Sequence, residues 1–154
     1  MADDHPPNLL ALEAVLSSLG QPLQRATSGA EALRWLEKDD FAVALLDVRM
    51  PGLSGFDVAT RLRERRIHTP IIFVSAVQED SSVRVDGYDR GAVDFIIKPF
   101  NPSVLRAKVR TFVQLHGQRR ELERLLSIER EARLELEQRL EAMRPGTPSA
   151  KRGT

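Results

Sequence analysis

The sequence predicts a doubly wound α/β domain built on a parallel sheet. Three observations lead there. Apolar runs of strand length recur, "FAVALL" at 41–46, "PIIFVSA" at 70–76 and "VDFIIKPF" at 93–100; stretches with helical apolar spacing separate them; and glycine or proline marks the joints. Runs without polar alternation fit strands buried on both faces, which parallel sheets require.

Taken in order, residues 8–19 place Leu9, Leu12, Val15, Leu16 and Leu19 at the three-and-four spacing of an amphipathic helix that stops at Gly20. "PLQRAT" at 22–27 reads as a short strand, and 28–40 as a helix opened by Ser28 that packs Ala32, Leu33, Trp35 and Leu36. The next strand ends in Asp47, and the chain turns at Pro51 and Gly52. Residues 54–66 supply Phe56, Val58, Ala59 and Leu62 as a helical stripe before the strand "PIIFVSA". "SSVRVDGYDRG" is a further helix closed by Gly91, and after the last strand a helix runs from Pro102 with no stop before Pro145.

Composition narrows the function. With 154 residues, 42% of them apolar, the chain suffices for one compact domain plus an appendage. The formal net charge is +1 and no basic block stands apart from acidic neighbours, so neither nucleic acid nor an anionic membrane surface is expected as a partner. Cysteine is absent, which removes disulfides and thiolate metal sites, and His5, His68 and His116 are too scattered to suggest a metal cluster. The amino terminus is acidic and no stretch is long enough to span a bilayer; a cytoplasmic, unexported protein is the expectation.

In open parallel sheets, ligands collect at the carboxyl ends of the strands. Asp47, Ser75 and Lys98 each end an apolar strand, and Asp3 and Asp4 precede the first helix where a strand end would fall. Neighbouring strands lie about 4.8 Å apart, so these groups can share one small ligand. Carboxylates, a hydroxyl and an ammonium make chemical sense around a divalent cation and a phosphoryl group: magnesium takes hard oxygen ligands, while lysine and serine serve the remaining phosphoryl oxygens.

The motifs "DDHPPN", "LLDVRMPGLSGFD", "PIIFVSA" and "GYDRGAVDFIIKPF", in this order, resemble the receiver domain of two-component response regulators from Asp3 to about Leu115. That resemblance implies a flavodoxin-like strand order 2-1-3-4-5. It implies that Asp47 accepts a phosphoryl group from a histidine kinase or a histidine phosphotransfer protein. Asp4 and Asp47 would hold Mg2+ directly, Asp3 mainly through water, and Arg49 through its backbone carbonyl. Ser75, Ala76 and Lys98 would bind the phosphate, and Ser75 and Phe95 would form the moving switch. Pro99 would follow a cis peptide. Taken singly these residues read otherwise: Asp47 as a turn former, Asp3 and Asp4 as a solvated terminus, Ser75 as a backbone-bonded hydroxyl, Lys98 as a surface lysine and Phe95 as core. Their combination reverses that reading. Family position also makes Arg49 and Val77 the flanks of the water route to the acyl phosphate. Neither carries a carboxylate or amide to orient water, so slow self-dephosphorylation is expected.

Three divisions are expected: a receiver at 1–116, a helical extension at 117–144 and a disordered tail at 145–154. In the extension Leu122, Leu125, Ile128, Ala132, Leu136, Leu140 and Met143 recur at a mean spacing close to the heptad average, which predicts a coiled-coil homodimer, with the two helices parallel. Glu129 with Arg133 and Glu135 with Arg139 are spaced as i,i+4 pairs. No output enzyme is visible. Two function classes remain, a phosphorylation-switched receiver and an unphosphorylated receiver-like adaptor acting by dimerisation. A haloacid-dehalogenase-type phosphatase needs a second aspartate two residues on, where Arg49 stands.

Only Met1 and Ala2 precede Asp3, where a receiver's central first strand would run. Losing three or four buried side chains at about 1.5–3 kcal/mol each would remove much of a typical domain's stability. The expectation is therefore a truncated first strand flanked by unpaired backbone, a chain that folds poorly or borrows a strand, and a natural protein that starts earlier.

Overall fold

The computed structural model describes residues 1–76, 89, 91, 92 and 94–144. Val77, most of the helix expected at 81–91 and the tail at 145–154 lie outside the described residues. The elements are α1 (Pro6–Leu16) with a 3-10 turn (Ser17–Leu19), α2 (Gly29–Lys38), β1 (Ala44–Asp47), α3 (Gly55–Glu64), β2 (Ile71–Ala76), β3 (Asp94–Lys98) and α4 (Pro102–Ala142). Helix α1 starts two residues earlier than its apolar spacing indicates, because Pro6 and Pro7 occupy its first turn, where a missing N–H costs nothing.

The three strands pair in parallel in the order β1-β2-β3, Ala44 opposite Ile71 and Ile72 opposite Asp94. Side-chain alternation divides the core between the two faces. Ala44, Leu46, Ile71 and Phe73 pack with Leu33 and Leu36 of α2 and Val58 and Leu62 of α3. Leu45, Ile72, Val74 and Ile96 pack with Leu12 and Leu16 of α1 and Leu105 and Val109 of α4. Helices thus cover both faces, as the apolar runs predict. β3 departs from that rule: among the described residues it is an edge strand, and its Ile97 is 36% exposed.

The first strand requires a correction. Ala2 forms single parallel bridges to Ala26 on one side and Leu46 on the other. Ala2 N donates to Leu45 O (2.8 Å), Asp47 N to Ala2 O (2.9 Å), Ala26 N to Met1 O (2.9 Å) and Asp3 N to Ala26 O (3.2 Å). Three residues therefore occupy the carboxyl end of the slot and satisfy backbone on both sides, which removes part of the penalty expected there. The Met1 ammonium extends the pairing by donating to Gln24 O at 2.8 Å. At the amino end of the slot, around Met1, a cavity of about 30 Å³ is lined by Met1, Gln24, Trp35, Leu36, Phe41 and Val43. "PLQRAT" is likewise not a strand but the single bridge at Ala26, since its neighbour offers one residue to pair with.

The chain divides into two compact units, Met1–Gly117 and Gln118–Thr154. Every described residue of the second, 118–144, is exposed and lies on α4 or its last turn. The pairs that close along it are Arg119–Glu123, Arg124–Glu121, Arg133–Glu137 and Arg144–Glu141. Neither Glu129–Arg133 nor Glu135–Arg139 closes; Arg133 turns to Glu137 instead. Among the described residues no helix is long and apolar enough to cross a membrane.

Candidate functional site

The end of β1 is shaped by the segment that follows it. Gly52 adopts φ 78°, the left-handed region that a side chain would strain, and turns the chain back. Helix α3 then opens with a capping box between Ser54 and Asp57. Its first residue, Gly55, donates its N–H to Val48 O at 3.1 Å, and a Cβ there would fall 2.3 Å from the carbonyl oxygen of Asp47. Glycine thus lets the helix seat directly on the strand that carries Asp47.

Around Asp47 the structure gathers the polar groups the strand ends bring forward. Lys98, ending β3, places Nζ 2.7 Å from Asp3 Oδ2 and 3.7 Å from Asp47 Oδ1. Asp3 is only 1% exposed, and each of its oxygens is engaged. Its Oδ1 accepts from the His5 N–H at 2.9 Å, and its Oδ2 from the Asn8 side-chain amide at 2.9 Å as well as from Lys98. Asp4 lies beside it, partly exposed, with Oδ1 3.1 Å from His5 Nδ1. Asp47 is buried and accepts a long bond from the Arg49 N–H at 3.4 Å. Burial pushes its carboxyl above the usual carboxylate range. Lys98 opposes that shift, while the neighbouring charges of Asp3 and Asp4 add to it.

Ser75 is buried one residue before the end of β2, its hydroxyl donating to Ala76 O at 3.3 Å, and Ala76 is exposed beside it. Phe95, partly buried on β3, lies 5.3 Å from Phe73, whose ring meets Phe56 edge-on at 4.8 Å. The Lys98–Pro99 peptide is cis. Arg49 is exposed and, with Asp4, Met50, Pro51, Ser54 and Phe56, lines an open cleft next to Asp47.

The donor set suits a hard divalent cation. Three carboxylates share the site with one lysine, and their mutual repulsion contributes to the raised pKa of Asp47. Two neighbours escaped the sequence reading. His5 lies far in sequence from the other histidines, yet its ring stands against Asp3 and Asp4, with which it forms a compact group of potential ligands. Asn8 holds Asp3 from one turn into α1; its place in "DDHPPN" was visible, its direction was not.

Residues 1–110 match the response regulator receiver domain family. The chain is a member of that family. Among curated relatives of the receiver, the transcriptional regulatory protein TcrA of Mycobacterium tuberculosis is 33% identical over 110 residues, covering 71% of this chain and 43% of TcrA. The transcriptional regulatory protein SrrA of Staphylococcus aureus is 42% identical over 88 residues, covering 56% of this chain and 36% of SrrA. The receiver thus spans less than half the length of either relative. Among solved structures, a Francisella response regulator receiver domain superposes with a TM-score of 0.69 at 27% identity, covering 75% of this chain and 94% of that one. The receiver domain of a sensor histidine kinase from Pseudomonas aeruginosa, with magnesium coordinated in its active-site cleft, superposes with a TM-score of 0.66 at 27% identity, covering 73% of this chain and 93% of that one.

Proposed function

We propose that this receiver is a phosphorylation switch in which Asp47 accepts a phosphoryl group from a histidine kinase or a histidine phosphotransfer protein. The observation that carries the reading is the convergence of Asp3 and Asp47 on Lys98 Nζ, at 2.7 and 3.7 Å, at the carboxyl edge of the sheet. In the transfer a carboxylate oxygen of Asp47 forms the new O–P bond as the P–N bond to the donor imidazole breaks, and the electron pair leaves with the imidazole. Lys98 shifts from Asp3 Oδ2 towards the phosphoryl oxygens, while His5 N–H and the Asn8 amide keep Asp3 satisfied. The Ser75 hydroxyl and the Ala76 N–H serve the same oxygens, and Phe95 follows Ser75 inward. Asp4, Asp47 and the Arg49 carbonyl would hold Mg2+ directly, with Asp3 acting through water. The ion, when bound, neutralises the negative charge gathered between carboxylates and phosphate.

The near-zero net charge supports a chain that does not itself bind nucleic acid, and the lack of cysteine fits a reducing cytoplasm. Phosphorylation by acetyl phosphate with magnesium, followed by intact mass, tests the proposal. The expected result is uptake of a single, acid-labile phosphoryl group that Asp47→Ala abolishes. Uptake that survives Asp47→Ala would overturn it, and an unsubstituted chain that takes up none would overturn it in favour of the receiver-like adaptor.

A further inference from the structure

Between Gln118 and Arg144 all side chains are exposed, and the large apolar ones lie mainly along one flank of α4. A strict heptad frame differs from the seam of mean spacing about 3.5 in taking Leu126 in place of Leu125 and in passing beside Ile128 and Ala132: Leu126 and Leu140 share its a positions with Arg119 and Arg133, and Leu122, Leu136 and Met143 share its d positions with Glu129. The four leucines are 41–59% exposed. Glu129 and Arg133 interrupt the seam at its middle. Among the described residues Glu129 takes part in no ion pair, and Arg133 reaches only the neighbouring Glu137.

These two charges decide what can cover the face. In a parallel, in-register pair each Glu129 faces Glu129 and each Arg133 faces Arg133, so two successive layers set like charges opposite each other. Turned antiparallel about a two-fold axis at Glu131, the same seam is self-complementary. Leu122 then meets Leu140, Leu126 meets Leu136, and Glu129 meets Arg133, each pairing occurring twice by symmetry. We infer that this segment is an interaction surface for a second copy of the chain, docked antiparallel through 122–140, and not in the parallel arrangement the heptad spacing alone suggests. Leucine layers at both ends supply apolar burial, and the central charge pairs select orientation and register, the use to which a polar layer in a coiled coil is best suited.

The chain contains no cysteine, so disulfide trapping reads the geometry directly. Full-length Leu122→Cys and Leu140→Cys chains, one of them uniformly 15N-labelled so that the two differ in mass, are oxidised each alone and as an equimolar mixture. The expected product is a disulfide between unlike chains, several-fold more abundant than either like-chain dimer. In sedimentation, Glu129→Arg should weaken association by at least about tenfold, and the swap Glu129→Arg with Arg133→Glu should restore it to within about threefold. Like-chain disulfides dominating at both positions would overturn the inference, as would a Glu129→Arg chain that associates as well as the unsubstituted one. A chain that stays monomeric at high micromolar concentration and yields no disulfide would overturn it too. All these substitutions lie on exposed helix, so folding of the receiver unit is not at issue.

Discussion

Replacing Lys98 by methionine should destabilise the receiver through Asp3 rather than through Asp47. Asp3 is 1% exposed and Lys98 Nζ stands 2.7 Å from its Oδ2, whereas the approach to Asp47 is 3.7 Å. After the substitution Asp3 keeps the His5 N–H and the Asn8 amide as hydrogen-bond donors, with the exposed His5 ring 3.6 Å from its Oδ1, and loses its one lysine partner. Breaking a fully buried ion pair from one side costs about 3–5 kcal/mol, but Lys98 remains 22% exposed and water reaches the site. The cost should therefore fall near about 2–3 kcal/mol, a large part of a typical domain's stability. Urea unfolding of the parent chain, Lys98→Met, Asp3→Asn and the double variant measures it as a cycle. In the Asp3→Asn background the same Lys98→Met change should cost under about 1 kcal/mol, because no buried carboxylate is left without its cation. Equal costs in both backgrounds would refute the reasoning and assign the loss to packing of the lysine stem.

Gly55→Ala should lower stability by more than about 2 kcal/mol and reduce phosphoryl uptake by acetyl phosphate, since a Cβ placed 2.3 Å from the Asp47 carbonyl must push α3 off the end of β1. Thermal unfolding beside Gly117→Ala, a site with open space around it, checks the first part; equal shifts would contradict it. Burial lowers the Met1 ammonium from 8.0 to about 6, so between those pH values the unfolded chain binds more protons. Stability should then rise from pH 6 to pH 8 by about 2–3 kcal/mol and be insensitive to this group below pH 6. Amino-terminal acetylation should flatten the profile of urea midpoints, and a slope that survives acetylation would count against the assignment. Asp47, whose pKa is raised by burial, acts with the opposite sign: stability falls as pH climbs from its ordinary 3.8 through the folded value.

The elements most legible in the sequence were those whose physics is local. Ser28 caps its helix because a short hydroxyl placed before an apolar period has one good use there, and it accepts the expected bond from Glu31 N; Ser54 accepts the same kind of bond from Asp57 N, a cap the stripe at 56–62 did not itself announce. β2 was readable as an apolar run that only a doubly covered strand can bury. The placement of Asp47 and Lys98 at strand ends, and of Ser75 one residue before one, followed from the same pattern, since each is the polar residue at or next to the close of such a run. Less legible were the features that depend on a partner far along the chain. "PLQRAT" has strand-like residues, yet strand pairing needs a neighbour, and Met1–Asp3 offer too little backbone for more than one bridge.

The sequence by itself determined the α/β alternation, the family and the residues at the strand ends, because periodicity, turn chemistry and apolar runs are written within a few residues of one another. Only the tertiary structure decided how those ends meet. It set Lys98 on Asp3 across 95 positions of sequence, brought His5 and Asn8 to the acidic pair, and seated three residues in the slot of a full strand. The reason is that burial and electrostatics act through space. A carboxylate's partner, and so its charge state, is settled by which strands lie side by side, a relation that no local pattern encodes.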